Sequence, residues 1–381
     1  MIRKIPSFIK IYESLIKIPT ISSQDKKLDQ SNKILIDLLS NYFSELKFTV
    51  KIQNIPNTKK FNMLASFGNG KGGLLLSGHT DTVDFDANLW TKDPFKLTEK
   101  NNKLYGLGAV DMKGFFAFIL DVLSTKSIKK IKKPIYVLAT ANEETDMSGA
   151  RYFIKSTNIK PDCIVIGEPT SLQLVKAHKG HISYSIDVIG KTGHSSSPSN
   201  GINSIEIMYL IIKKLLKLKV YLRKKYFHKE FSISYPTMNF SSINGGNAIN
   251  RICALCNLKF EIRPIPGLTL TQIEILVQEV LQKIFKKWPN RIFLKNLFFS
   301  VPPYEFPKES KIIKKIENSC QLTPITANYC TEAPFLEKIA PTLILGPGSI
   351  EQAHHADEYL DCSFIKPTKN IIKTLIKKFC Y

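Results

Sequence analysis

The residues best suited to chemistry sit where apolar runs end. Residues 73–76 lead into Ser77-Gly78-His79-Thr80-Asp81, and positions i and i+2 share one face of extended backbone. An imidazole that ligates a metal needs its second nitrogen held, which a carboxylate two residues on can do; an ordinary hydrogen-bonded His and Asp would look the same. The run 134–140 ends in Asn142-Glu143-Glu144, and 163–166 ends in Gly167-Glu168. Adjacent glutamates can divide the labour, one binding metal and one taking a proton from water, although a solvated acidic pair has the same spelling. Asp111 lies in a glycine-rich turn ahead of the apolar run 115–123, placed either for a metal or as a helix cap. The late segment Gly346 to Tyr359 adds His354 and His355.

These positions need a scaffold that brings strand ends together. Short continuous apolar runs alternating with helical patterns predict a mostly parallel sheet, whose carboxyl edge carries the chemistry. Helices are expected over 3–17 and 26–46, with Ser22 or Ser23 capping the second, and strands over 48–53, 63–67, 74–76, 134–140 and 163–166. From residue 179 the texture changes. Residues 181–188 alternate as a half-buried strand, 190–200 form a Gly/Ser-rich loop containing His194, and 202–220 read as a Lys-rich amphipathic helix. Strands over 231–243 and 252–262 and a helix over 271–287 complete an α+β insertion. A helix over 311–320, a strand over 341–345 and a helix over 365–379 return the chain to the first sheet. The expectation is an α/β fold: a mixed, mostly parallel sheet flanked by helices in a catalytic domain (1–178 plus 291–381), with an inserted α+β lid and dimerisation domain (179–290).

At 381 residues and 43% hydrophobic content, two domains are expected. No apolar run approaches the ~20 residues of a membrane span, and residues 1–17 lack a signal-peptide centre, so the expectation is a cytoplasmic protein that binds no membrane. The net charge of +22 comes from 54 basic against 32 acidic residues. Only six of the basic residues are arginine and no aromatic-interleaved patch occurs, which reads as compositional drift towards Lys, Ile and Asn and not as a nucleic-acid footprint. Seven cysteines without framework spacing point to reduced thiols. The lone pair Cys253 and Cys256 reads as packing.

The ordered motifs SGHTDTV, GLGAVDMKG, NEE, GEPT, GKTGHSS, INGGNAIN, EIRPIPG and AHHADEY resemble the co-catalytic metallopeptidase family, which includes glutamate carboxypeptidase, aminoacylase, succinyl-diaminopimelate desuccinylase and acetylornithine deacetylase. YCTEAPF and GPGSIEQAH are most similar to the last of these. The resemblance implies two divalent ions, zinc or cobalt, bridged by Asp111, with His79 and Glu168 on one and Glu144 and His354 on the other. It implies Glu143 as general base, Asp81 as the residue orienting His79, and His194 as a lid donor to the oxyanion, reaching across a homodimer. Asn250 and Arg263 match lid positions associated with substrate, where Arg263 could hold a substrate carboxylate or form a structural salt bridge, and Gly348 and Ser349 could offer backbone or hydroxyl donors to the same carboxylate. Glu332 is a candidate for the substrate ammonium, against the alternative of an exposed helix-start carboxylate. The implied reaction is removal of the acetyl group from N2-acetyl-L-ornithine, a small-molecule substrate, in arginine biosynthesis, with desuccinylation, another deacylation or carboxypeptidase action as sibling possibilities.

Overall fold

The computed structural model describes residues 5–125, 131–307 and 310–381. The chain divides into two compact units: residues 1–176, 306–325 and 331–381 form the larger, and residues 177–305 and 326–330 the smaller.

The larger unit is built on strands β1 (Thr49–Asn54), β2 (Phe61–Phe67), β3 (Leu74–His79), β6 (Ile135–Thr140), β7 (Cys163–Ile166), β8 (Leu174–His178) and β15 (Thr342–Ile344), in the order β1-β2-β6-β3-β7-β15-β8. Strands β3 and β6 are buried along their whole length, as expected of central strands covered on both faces. Strand β3 runs parallel to both neighbours, with Leu74 opposite Ile135 and Cys163; β7 and β15 are also parallel. The carboxyl ends of β6, β3, β7 and β15 therefore lie side by side. A small sheet of β4 (Thr98–Lys100), β5 (Lys103–Tyr105) and β16 (Tyr359–Asp361) fastens the end of the chain to its first third, with Tyr359 opposite Tyr105.

Helices α1 (Phe8–Ile16), α2 (Lys33–Glu45), α3 (Gly114–Leu123), α4 (Ser148–Ser156), α7 (Lys311–Cys320), α8 (Ala333–Leu336) and α9 (Ile365–Cys380) flank the sheet. Helix α3 is buried nearly all round, between α1 and α9. Helix α2 starts seven residues later than residue 26. Asp25 instead closes a turn, accepting from the N–H groups of Leu28 and Asp29, and the buried Asn32 amide is tied to Phe61 and Thr80. Residues 3 and 4 of the first expected helix lie outside the described residues.

In the smaller unit, β10 (Thr237–Gly245), β11 (Leu255–Arg263), β9 (Ile182–Ile189) and β12 (Ile292–Asn296) form an antiparallel sheet in that order. Alternate residues of β9 and β11 (Ile182, Tyr184, Ile186, Val188; Cys256, Leu258, Phe260, Ile262) meet the buried stripes of α5 (Ser204–Lys225) and α6 (Leu270–Lys287). Thr269 and Gln272 form a reciprocal capping box at the start of α6. Strand β12 pairs with β9, so the return to the larger unit comes after residue 305 and not at residue 291. Strands β8 and β14 (Pro324–Ala327) each run from the larger unit into the smaller, where the last two residues of β8, Ala177 and His178, pair with the short strand β13 (Tyr304–Glu305). Strand β11 begins at Leu255, so Cys253 precedes it; both cysteines are buried.

Candidate active site

Strand β3 delivers His79 into the interior, 1% exposed. Its Nδ1 bonds the backbone carbonyl of Asp81 at 2.9 Å, which leaves Nε2 as the outward-facing nitrogen. Nε2 lies 2.9 Å from Asp111 Oδ1 and 3.8 Å from Glu168 Oε1. The other oxygen of Asp111, Oδ2, faces His354 Nε2 at 3.4 Å, and His354 Nε2 is 3.1 Å from Glu144 Oε2. Asp111 thus presents one oxygen to each imidazole. Ligand atoms of His79, Asp111 and Glu144 all lie within 4.8 Å of one another. His354 occupies left-handed backbone, φ 61°, with its side chain 54% exposed; its neighbour His355 is exposed as well.

The Asp81 carboxylate is fully buried and faces the next strand end. Oδ1 accepts the N–H of Glu143 (3.2 Å) and Oδ2 that of Glu144 (3.1 Å), while Oδ1 lies 3.8 Å from His79 Nδ1. Its backbone therefore holds the imidazole and its side chain holds the glutamate pair. Asn142, at φ 61°, turns the chain from β6 into that pair, and its side-chain oxygen accepts from Ser22. Lys60, also buried, bonds Ser22 in turn.

Electrostatics here are dominated by crowded acids. Burial and then the charge of Glu168 push Glu143 well above the usual carboxylate range, and burial does the same to Glu168. Burial would raise Asp111 too, but hydrogen bonds from His354 and His79 hold it below the ordinary range. His354 is pushed up to about 11 by its bonds to Asp111 and Glu144. Two imidazoles among this many carboxylates leave a surplus of negative charge that a divalent cation would neutralise. Borderline nitrogen and carboxylate donors suit zinc or cobalt, so the residues present fit such ions.

Glu332 is not the exposed helix-start carboxylate that the sequence left open. It is 1% exposed and accepts from Thr140 Oγ1 at 2.8 Å; burial pushes it up to about 7, against hydrogen bonding from Thr140 and the backbone of Ala150. Ser349 Oγ accepts the N–H of Glu351 and so caps the short turn before His354. In the smaller unit, His194 and Arg251 form a β-bridge and Ser195 N–H donates to the carbonyl of Asn250, so the His194 and Asn250 loops lie side by side. His194 Nδ1 is engaged by Ser196 Oγ at 2.6 Å. Arg263 grips Glu261 through Nε and Nη2, both at 3.3 Å, and His181 shares that carboxylate.

Glu358 was not singled out from the sequence, although it stands in the AHHADEY motif. It is 2% exposed and takes three backbone hydrogen bonds from the Asp111 turn.

The sheet is mixed and not mostly parallel: β6, β3, β7 and β15 run parallel at its centre, while β1, β2 and β8 join antiparallel. Such a sheet, with histidines and acids gathered around a central aspartate beyond its parallel strand ends, defines a metallohydrolase. Residues 75–378 match peptidase family M20/M25/M40, and the chain belongs to that family. It is 86% identical over its full length, and that of the relative, to the acetylornithine deacetylase of Buchnera aphidicola subsp. Schizaphis graminum. To the acetylornithine deacetylase of Salmonella typhimurium it is 52% identical, over 99% of each chain. Among solved structures, the metallo-carboxypeptidase Sso-CP2 of Sulfolobus solfataricus superposes with TM-score 0.78 at 18% identity, covering 98% of this chain and 99% of the other. Aminopeptidase PepT of Bacillus cereus gives 0.75 at 16% identity, over 97% of each chain.

Proposed function

We propose that this metal-dependent amidohydrolase converts N2-acetyl-L-ornithine and water to L-ornithine and acetate, a step of arginine biosynthesis, in the cytoplasm. The observation that carries the reading is the set of two imidazoles and two glutamates gathered round Asp111, with Glu143 next to Glu144 in the chain. His79 and Glu168 would hold one ion and Glu144 and His354 a second, with Asp111 between them. When bound, such a pair of ions polarises an amide carbonyl and activates water at neutral pH. Glu143 accepts a proton from the attacking water and returns it to the leaving amine nitrogen as the carbon–nitrogen bond breaks. Its raised proton affinity suits both halves of that transfer. His194 is assigned to the developing oxyanion.

Arg263, Asn250 and Ser349 are assigned to the substrate carboxylate, and Glu332 to the ornithine ammonium. A two-ion centre is supported by the likeness to a dinuclear metal-binding peptidase of Bacillus subtilis, at 14% identity and TM-score 0.66. Apolar residues exposed along α5 (Tyr209, Leu216, Val220) and on the edge strand β10 (Ile243) support a homodimer formed through the smaller unit. Light scattering on the purified protein checks that state. For the reaction, turnover of acetylornithine, acetylmethionine and succinyl-diaminopimelate is compared after metal stripping and reconstitution with zinc or cobalt. Acetylornithine is expected to turn over fastest; preference for either of the others would overturn the substrate.

A further inference from the structure

The metal-facing side chains do not account for why Asp111 and His354, from distant parts of the chain, meet. Glu358 lies four residues beyond His354, and both its carboxylate oxygens are spent on the turn that carries Asp111. Oε2 accepts the N–H of Gly108 at 3.0 Å; Oε1 accepts those of Val110 at 2.7 Å and Asp111 at 3.0 Å. The backbone carbonyl of Glu358 takes a fourth bond, from Gly106 N–H at 3.0 Å. An acid buried to 2% exposure is costly unless it is hydrogen-bonded, and these donors meet that cost.

Other contacts fix each of these segments to its own surroundings. Asp357 accepts from Thr91 and Lys92 N–H at 3.0 and 3.2 Å, and β16 starts immediately afterwards against β5. The Asp111 turn is closed from its other side by Lys113, fully buried with Nζ 3.1 Å from the carbonyl of Ile18, and by the Tyr12 hydroxyl on the carbonyl of Ala109. At Gly108, φ 81°, an added Cβ would lie 2.4 Å from Lys113 Cε. A carboxylate converging on three N–H groups within four residues, those of Gly108, Val110 and Asp111, fixes both the path of a turn and the direction of the side chain it presents.

We propose that Glu358 is a positioning residue: it clamps the Asp111 turn to the His354 segment and so sets the spacing of the two ligands. The proposal rests on Asp111 and His354 binding metal. In Glu358→Gln the amide nitrogen faces backbone donors it cannot accept from, and at least one of the three bonds is lost. Glu358→Asp keeps the charge on a shorter stem and restores part of the clamp.

The test is equilibrium dialysis of the full-length enzyme against Co2+, with the electronic absorption of the bound ion recorded. The set comprises wild type, E358Q, E358D, D111N and Phe43→Leu, a buried α2 substitution remote from the turn that lowers stability alone. E358Q is expected to bind the weaker ion roughly 10–100-fold less tightly, the usual effect of removing a group that orients a ligand, with a shifted cobalt spectrum. E358D should fall between E358Q and wild type, and F43L should match wild type in affinity and spectrum. If E358Q and E358D both keep wild-type affinity and spectrum, or if F43L shifts them as much as E358Q does, the proposal is overturned. If D111N leaves metal content and spectrum unchanged, the metal assignment itself fails, and this inference with it.

Discussion

Asp81→Asn separates two jobs that one residue combines. Holding His79 falls to the backbone carbonyl of Asp81, which the substitution leaves in place. Holding the turn that presents Glu143 and Glu144 falls to the carboxylate, one oxygen for each N–H. Asparagine keeps the shape but has one accepting oxygen, so one of the two charge-assisted bonds is replaced by a donor facing a donor. Losing such a bond at a fully buried group costs about 1.5–3 kcal/mol. If that displacement acts on Glu143 only in the transition state, the turnover rate falls about 10- to 150-fold, at a factor of ten per ~1.36 kcal/mol. KM should move little. The assay is steady-state deacylation of acetylornithine by metal-reconstituted D81N, with metal content measured on the same sample. Full metal content with the stated loss in kcat agrees with the geometry. A kcat within threefold of wild type, or a variant that loses an ion yet recovers full kcat at saturating metal, would refute the division of labour argued here.

Three further outcomes follow from the same contacts. Glu143→Gln should retain both ions and lose roughly 10²–10⁴ in kcat, the range typical of a removed general base, as read by single-turnover kinetics. His354→Ala should cost one ion by metal analysis, whereas His355→Ala should leave metal content unchanged. In the smaller unit, hydrogen bonding from His181 is the chief cause holding Glu261 down to about 2, with Arg263 adding to it. A carboxylate depressed in the folded state stabilises it above its ordinary pKa, and the benefit disappears as pH falls through the folded value. The Tm difference between apo wild type and Glu261→Gln should therefore be full at pH 6 and shrink between about pH 4.5 and 2; a difference independent of pH contradicts the pairing.

Much of the scaffold was legible because central parallel strands announce themselves as unbroken apolar runs, and because three of these runs, β3, β6 and β7, lead into a histidine or an acid. His79, Glu143, Glu144 and Glu168 could be placed at adjacent strand ends on that ground alone. What could not be read was which atom of a residue does the holding. Nothing in the spelling of His-Thr-Asp tells a side-chain contact from a backbone one, so the carbonyl bond of Asp81 had no signal. Glu358 was hidden for a related reason: its partners are backbone N–H groups some 250 residues away, and backbone donors leave no trace in side-chain chemistry. Glu332 sits next to a short helix, which suggested exposure, and only tertiary packing buries it. The second domain boundary was misplaced because β12 is a solvated edge strand with a weak alternating pattern, and its pairing with β9 is non-local.

The Asp111 turn and the His354 segment meet only when the last portion of the chain has folded back onto the first. During synthesis the early strands, the glutamate pair and the whole inserted unit emerge before residues 354–358 exist, and N-terminal regions fold first. A nascent chain thus carries most of the recognisable motifs before His354 and Glu358 are in place. Such fragments are expected to be hydrolytically silent until residues 354–358 have folded against the Asp111 turn.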